Sequence, residues 1–234
     1  MRRQARWALA EGVGTAFLVA VVVGSGIFAQ RLSPSDEGLQ LLENSTATAL
    51  GLAALIFAFG PVSGAHFNPV VTLADRLLGG MDTGAALVYG TAQMAGGCVG
   101  AVVANLMFDL PAVDWSATSR TGGHLWLGEV VATFGLLSVI LGVARSGRSG
   151  AAPFAVGAYI GAAYWFTSST SFANPAVTLA RTLTDTFTGI RPASVPPFLL
   201  AQLAGGLLAV GLARLLYPTL PDAADDVILP HHQD

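Results

Sequence analysis

One seven-residue segment occurs twice in this chain of 234 residues. Residues 68–74 read NPVVTLA and residues 174–180 read NPAVTLA, so six of the seven positions agree. A second pair, AQMAGG at 92–97 and AQLAGG at 201–206, follows in the same order along the chain. Ordered matches of this kind indicate an internal duplication, which restricts the chain to folds built from two related halves.

Two acidic residues extend the duplication towards the start of each half. Glu11 and Glu129 lie in apolar surroundings, and each is followed four residues later by a threonine. The two halves then cover about 7–108 and 125–216, and we expect them to form one domain over residues 1–216.

The composition indicates that most of this domain lies in a membrane. Of the residues of the whole chain, 53% are hydrophobic and only 11% are charged, whereas a soluble domain has about 25% charged residues. Six apolar segments approach the ~20 residues that span a bilayer as a helix: 7–29, 43–60, 84–107, 125–144, 152–168 and 196–216. The first could also be a secretory signal, but its length and Glu11 favour a retained span. Two further segments, 63–79 and 169–187, are too short to span.

Each half contains three spans and one short segment. Because three is odd, the second half must lie upside down relative to the first. Inverted repeats place a functional site at their interface, near the middle of the bilayer.

The two Asn-Pro pairs predict where two short helices begin. Asn68 and Asn174 are residues that favour the N-cap, and Pro69 and Pro175 suit the first helical position. Irregular backbone before each pair is tolerated at membrane depth only where it lines a cavity or is buried. The repeat predicts that the two helix N-termini meet, with the NH₂ groups of both capping Asn side chains free to donate. Such a site suits water and hydroxyl-bearing solutes and repels cations.

Charge in the connections predicts the orientation. All eleven basic residues are Arg; seven lie on the side of the N-terminus and four on the other side. This asymmetry predicts a multi-pass protein of the inner (plasma) membrane with both ends in the cytoplasm. Residues 217–234 are Pro- and Asp-rich, and we expect them to form a flexible cytoplasmic tail.

Other classes of protein fit less well. A secondary transporter can share inverted repeats but needs a coupling-ion site, for which only Glu11 and Glu129 are candidates. An intramembrane hydrolase would need more than Ser63 and His66 in one loop, because triad partners come from separate segments. The single cysteine, Cys98, excludes an intrachain disulfide, and no basic stripe suggests nucleic acid. We expect no catalytic residue, cofactor or metal.

The sequence resembles the major intrinsic protein family of aquaporins and aquaglyceroporins. SGAHFNPVVT and FANPAVT are similar to the loops of its two half-helices, and AEGVGTAFL and GEVVATFGLL to the starts of its first and fourth helices. The resemblance covers about residues 7–216. It implies an all-α membrane fold of six transmembrane helices and two half-helices, a homotetramer, and a pore in each subunit for water and small neutral solutes.

Two positions depart from the family's pattern. The first motif has Val70 where the family usually has Ala; the second motif keeps Ala176. We expect Val70 to shift the half-helices slightly. The residue after the second motif is Val177, where the family usually has an Arg that narrows the outer selectivity filter. The change predicts a wider filter.

The resemblance places the other filter residues at Thr48, Ser171 and Tyr164, with Ala162 as a rival to Tyr164. This wide, mildly polar set is similar to that of a bacterial branch of the family associated with arsenic resistance. It implies passage of glycerol-sized neutral solutes, including arsenous acid, with a strictly water-selective pore as the alternative.

Four charged residues and one histidine complete the candidate site. The resemblance implies that Glu11 and Glu129 brace the half-helix loops, and that His66 either braces the loop or lines or gates the pore. Arg181 lies one helical turn beyond Val177, and Asp75 is its equivalent in the first half. They could form charged vestibules, but the favoured interpretation is that both side chains extend to the membrane interface.

Overall fold

A computed structural model describes residues 3–217, and every regular element in this range is helical. The expected tail at 217–234 lies outside the described residues, apart from Tyr217. Eight α-helices follow one another in the order α1 Arg3–Leu32, α2 Glu37–Ser63, α3 Pro69–Leu78, α4 Thr83–Met107, α5 Gly123–Arg145, α6 Ala152–Phe166, α7 Pro175–Ala180 and α8 Val195–Leu216. Short 3₁₀ turns occupy Ser149–Ala151, Arg181–Leu183 and Pro192–Ser194.

Five of the described helices are long and apolar enough to cross a membrane. The exception is α6, where a span over 152–168 was expected. Its 15 residues rise about 22 Å, which is short of the ~30 Å hydrocarbon layer. The helix ends where the Ser- and Thr-rich segment that follows Phe166 begins, because these side chains compete for backbone hydrogen bonds.

Helix α2 begins earlier than its apolar run. The expected start was residue 43, but the helix begins at Glu37 because Asp36 caps it, its Oδ1 accepting a hydrogen bond from the Leu39 amide at 2.9 Å. A polar first turn therefore extends the helix beyond its apolar part.

The helices pack as two equivalent groups. In the first half α1 contacts α4 and α2, and in the second half α5 contacts α8 and α6. The α2–α6 contact joins the halves, and the half-helices α3 and α7 touch each other between α4 and α8. This arrangement agrees with the fold that the resemblance implies, with both half-helices enclosed by the long ones.

Small residues allow the closest of these contacts. A Cβ on Gly96 would strike the Gly12 carbonyl oxygen of α1, and one on Gly100 would strike that of Ala16. The backbones of α1 and α4 therefore touch directly, which small residues at an interval of four make possible.

Candidate pore

An elongated cavity runs between the helices and past the N-termini of α3 and α7. Helices α2 and α6 each line it with three residues spaced four apart: Thr48, Leu52 and Ile56 on α2, and Val156, Ile160 and Tyr164 on α6. Eight residues of helix advance about 12 Å, so the cavity extends at least that far along the helix axes.

Most of the cavity wall is aliphatic. Leu18 and Val22 of α1 line one side, and their repeat equivalents Leu136 and Ile140 of α5 line the other. Polar groups come from the two half-helix loops, from Thr48 of α2, from Tyr164 of α6 and from Arg181. A solute that enters the cavity can form hydrogen bonds only with these polar groups, because the rest of the wall is apolar.

The two Asn side chains meet at the cavity and hold the halves together. Asn68 Oδ1 accepts from the Val70 amide at 2.9 Å, and Asn174 Oδ1 accepts from the Ala176 amide at 2.9 Å. Each side chain also donates across the repeat interface. Asn68 Nδ2 lies 2.8 Å from the Ala173 oxygen, and Asn174 Nδ2 lies 2.8 Å from the Phe67 oxygen. The expectation that both donors are free is wrong for one N–H of each amide, and the second N–H remains available to a solute.

In each of the loops that precede Asn68 and Asn174, three residues have a left-handed backbone conformation. Positive φ angles occur in matching places in the two halves, at Gly64, Ala65 and Phe67 and at Thr170, Ser171 and Ala173. A non-glycine residue in this region costs roughly 1–2 kcal/mol. The loops can keep this conformation only if surrounding contacts stabilise it.

Glu11 supplies such contacts to the first loop. This fully buried carboxylate accepts backbone N–H bonds from His66 at 3.0 Å and Phe67 at 2.7 Å. It also accepts from Ser63 Oγ at 2.6 Å and from Gln93 Nε2 at 2.7 Å. Four donors therefore fix one side chain to the loop and to α4.

Glu129 makes the equivalent contacts in the second loop. It accepts from the Phe172 amide at 2.8 Å, the Ala173 amide at 2.9 Å and Gln202 Nε2 at 2.6 Å. Gln202 donates in addition to Thr178 Oγ1 at 2.8 Å, just as Gln93 donates to the threonine of the first motif. The threonine partners were not recognised from the sequence, although their place in both seven-residue segments was a signal.

His66 takes part in both the loop contacts and the cavity wall. Its backbone amide binds Glu11, while its ring lines the cavity, with Nδ1 3.1 Å from Thr72 Oγ1. Asp75 Oδ2 lies 3.9 Å from His66 Nε2, behind the ring.

The residues expected in the filter lie around one part of the cavity. Thr48, Tyr164, Ser171 and Val177 all line it, and Thr48 Oγ1 lies 3.3 Å from the Tyr164 hydroxyl. Within the described residues, the buried Ser171 Oγ has no hydrogen-bond partner. Ala162 is exposed on the outer face of α6. The structure thus brings the four residues to one cavity, with the Ser171 hydroxyl buried in its wall.

Arg181 and Asp75 do not extend to the membrane interface. Arg181 is 2% exposed and lines the cavity, and Asp75 is 3% exposed. The interpretation that both side chains reach the interface is therefore wrong. Since α7 ends at Ala180 and continues as a 3₁₀ turn, Arg181 turns inward rather than along the helix.

Arg120 contributes a second cation to this region and was not recognised from the sequence. It lies in the connection between the halves, and its Nε donates to the Gly189 oxygen at 2.9 Å. Its guanidinium carbon lies 5.1 Å from the centre of the Phe172 ring. Burial lowers the pKa of Arg120, while Glu129 raises it. An arginine stays charged under such opposing influences.

Val70 packs against α8 and not against the cavity. The sequence predicts that this residue shifts the half-helices slightly. Val70 is buried but does not line the cavity, and a Cβ on Gly206 of α8 would strike its Cγ1. The missing side chain at Gly206 accommodates the extra methyl groups of Val70. The expected slight shift of the half-helices stays a prediction.

Comparison with known proteins decides the family. A sequence model described as "Major intrinsic protein" matches residues 2–173. The chain is 51% identical over 217 residues to "Aquaglyceroporin AqpS" of Rhizobium meliloti (strain 1021), and the match covers 92% of each chain. The chain belongs to the major intrinsic protein family.

Other members support this assignment. "Aquaporin NIP1-4" of Oryza sativa subsp. japonica is 32% identical over 216 residues, which are 88% of this chain and 76% of that one. The X-ray structure of the aquaglyceroporin from Plasmodium falciparum matches with a TM-score of 0.73 and 22% identity, over 94% of this chain and 100% of that chain. At that identity the structural match establishes the fold. The protein is thus a membrane channel for water and small solutes.

Proposed function

We propose that this member of the family is a passive, wide-filter channel for water and for uncharged solutes of the size of glycerol, arsenous acid among them. The observation that carries the proposal is Val177, which lines the cavity directly after the second Asn-Pro-Ala. An isopropyl group there occupies less of the lumen than a guanidinium and leaves room for a polyhydroxyl solute.

The hydrogen-bonding groups of the cavity suit such solutes. The second N–H of both Asn amides and the polar Thr48 and Tyr164 offer hydrogen bonds, and Leu18, Val22 and their repeat equivalents give the cavity apolar walls. Glycerol has hydroxyls along one edge and carbon along the other, which matches this division. Arsenous acid, a small uncharged trihydroxy compound at pH 7, can use the same donors. The name of the relative from Rhizobium meliloti, an aquaglyceroporin, supports the same class of solute.

The carboxylates argue for a channel over a transporter. Glu11 and Glu129 are fully buried, do not line the cavity, and are occupied by backbone and glutamine donors. Neither is therefore open to a coupling ion. Ser63, the candidate nucleophile of a hydrolase, is likewise buried and donates to Glu11, so we infer a protein that is not an enzyme.

Selectivity can be tested in liposomes by stopped-flow light scattering after a hyperosmotic glycerol shock. We expect fast shrinkage followed by fast re-swelling for the wild type. Val177→Arg should keep the fast shrinkage and slow the re-swelling about tenfold or more, since a loss of 1.4 kcal/mol is tenfold in rate. Fast shrinkage without accelerated re-swelling in the wild type would mean a water-selective pore, and an unchanged variant would remove Val177 as the determinant.

We further propose a homotetramer in the inner (plasma) membrane, with both chain ends in the cytoplasm. Large apolar side chains such as Leu9, Phe17, Phe57 and Leu200 are exposed on the outside of the helices and suit lipid or neighbouring subunits. Native mass spectrometry from detergent measures the state directly. A mass of one subunit at all detergent conditions would exclude the tetramer.

A further inference from the structure

In this chain the width of the filter and its charge depend on two different residues, Val177 and Arg181, whereas one residue usually determines both in the family. An arginine directly after the second motif both narrows the filter and charges it. Here the first position holds an uncharged Val177, and the charge lies four residues on, in the same cavity wall. We propose that Arg181 supplies the fixed positive charge by which this pore excludes cations and hydrated protons. The inference rests on the channel function proposed above.

Two contacts hold the Arg181 side chain in the cavity wall. Its Nε donates to the Thr188 backbone oxygen, and its guanidinium carbon lies 3.4 Å from the centre of the Phe172 ring. Phe172 belongs to the second half-helix loop, whose amides bind Glu129. The guanidinium is therefore fixed to the same framework that positions the Asn174 amide.

The terminal nitrogens of Arg181 remain available to the lumen. Within residues 3–217 only Nε has a hydrogen-bond partner, and the terminal nitrogens are not among the buried atoms without partners. In a side chain that is buried in the protein yet lines the cavity, these atoms face the cavity. They can donate to a neutral solute and repel a cation.

No carboxylate of the described chain lies within ion-pair distance of Arg181. The guanidinium of Arg120, a second cation, also lies over the ring of Phe172. Two guanidinium groups beside one ring add to the positive ends of α3 and α7. A cation that enters from this end therefore meets an unfavourable field before it reaches the Asn side chains, while a neutral solute does not.

The equivalent place in the first half has the opposite character. Asp75 occupies the seventh position after Asn68, as Arg181 does after Asn174, but it lies behind His66 and does not line the cavity. The two ends of the pore are thus unequal, and within residues 3–217 only the Arg181 end presents a fixed cation to the lumen.

The test compares proton conductance and water flux in the same liposomes. A pH-sensitive dye is trapped inside, and a potassium gradient with valinomycin drives protons through the protein. We expect wild type to be nearly as tight as empty liposomes. Arg181→Met should raise proton conductance about tenfold, because it removes one fixed charge from the cavity wall. Arg181→Lys should stay close to wild type, and so should Arg191→Met, which removes an exposed arginine outside the cavity.

Three results would overturn the proposal. The first is a wild type that conducts both water and protons freely. The second is an Arg181→Met variant that passes water normally and stays proton-tight. The third is equal leakage of the Met and Lys variants, which would indicate disturbed packing rather than lost charge.

Val177→Arg provides a second test of the proposal, which applies even if the Arg181 variants fail to fold. It should slow glycerol but leave the low proton conductance unchanged, because the charge is already present; a marked fall in proton conductance would contradict the proposal. A wild type that carries no water would instead contradict the channel function itself.

Discussion

At the scale of single residues, each of the two side chains that differ from the family's usual pattern lies near a residue that can offset the change. Val177 is an uncharged residue of the cavity wall, and Arg181, which lines the same cavity, follows four residues later. Val70 adds methyl groups to the first motif, and Gly206 leaves the space for them. Arg181 lies four residues after Val177, whereas Gly206 lies in the other half of the chain from Val70. Substituting both members of a pair tests whether they act together.

The Val70–Gly206 pair predicts a compensating double variant. Val70→Ala removes methyl groups packed against α8 and should cost about 2 kcal/mol of stability. Gly206→Ala places a Cβ against Val70 Cγ1 and should cost a similar amount by overpacking. The double variant should recover most of the loss, which a double-mutant cycle of thermal unfolding in detergent would measure. Additive losses would contradict the contact, and glycerol flux should be unchanged in all folded variants, because Val70 does not line the cavity.

Sequence reasoning located the pore residues but not all of their contacts. Asn68, Asn174, Glu11 and Glu129 could be found because the repeat marks each of them twice. The inward turn of Arg181 could not, since it depends on the change from α-helix to 3₁₀ turn at the end of α7.

Arg120 was missed for a different reason. It lies in the connection between the halves, where no repeat applies, and it reaches Phe172 only through the folded loop. Motifs fix local geometry, whereas contacts made by connections depend on tertiary structure.

At the scale of elements, the two half-helices are held by long helices rather than by their own length. Helix α7 has six residues, too few to be stable alone. The carboxylates of α1 and α5 and the glutamines of α4 and α8 together bind both loops. The architecture of the pore therefore depends on hydrogen bonds between helices and loops.

Glu129→Gln tests this dependence. The substitution keeps the shape of the side chain but turns one acceptor into a donor, which then faces the N–H groups of the loop or of Gln202. Unpaired buried donors should cost about 3 kcal/mol, with lost water flux in whatever protein folds. Glu37→Gln is the matched control, because Glu37 is exposed at the first turn of α2 and should change little. Wild-type flux and melting temperature for Glu129→Gln would show that the carboxylate is dispensable.

The contact between α1 and α4 gives a second prediction for elements. A Cβ on Gly100 would meet the backbone oxygen of Ala16, which cannot move without shifting a helix. Gly100→Ala should therefore destabilise the protein by about 2–3 kcal/mol. Gly90→Ala, in the same helix, meets nothing within 4 Å and should be neutral or stabilise by up to ~1 kcal/mol. Equal melting temperatures in detergent for the two variants would show that the helices do not pack as closely as described.

At the scale of the whole molecule, the two halves share the same backbone arrangement, but the two ends of the pore carry different charged residues. The Asn amides, the carboxylates and the left-handed loop residues obey the repeat almost position by position. The seventh position after each Asn differs between the halves. Asp75 is buried behind His66 at one end, and Arg181 lines the cavity at the other. Orientation in the membrane thus decides which compartment the fixed cation faces.

The distribution of arginine predicts that orientation. Seven arginines lie on the N-terminal side and four on the other, so both ends of the chain should be cytoplasmic and Arg181 should face outward. Fusions to a fluorescent protein that folds only in the cytoplasm, or to a phosphatase active only outside it, report each position. A C-terminal fusion should fluoresce, and one within the connection at 109–121 should give phosphatase activity. The reverse pattern would place Arg181 at the cytoplasmic mouth, and the exclusion of cations would persist, because a fixed charge in a passive pore hinders cations that move in either direction.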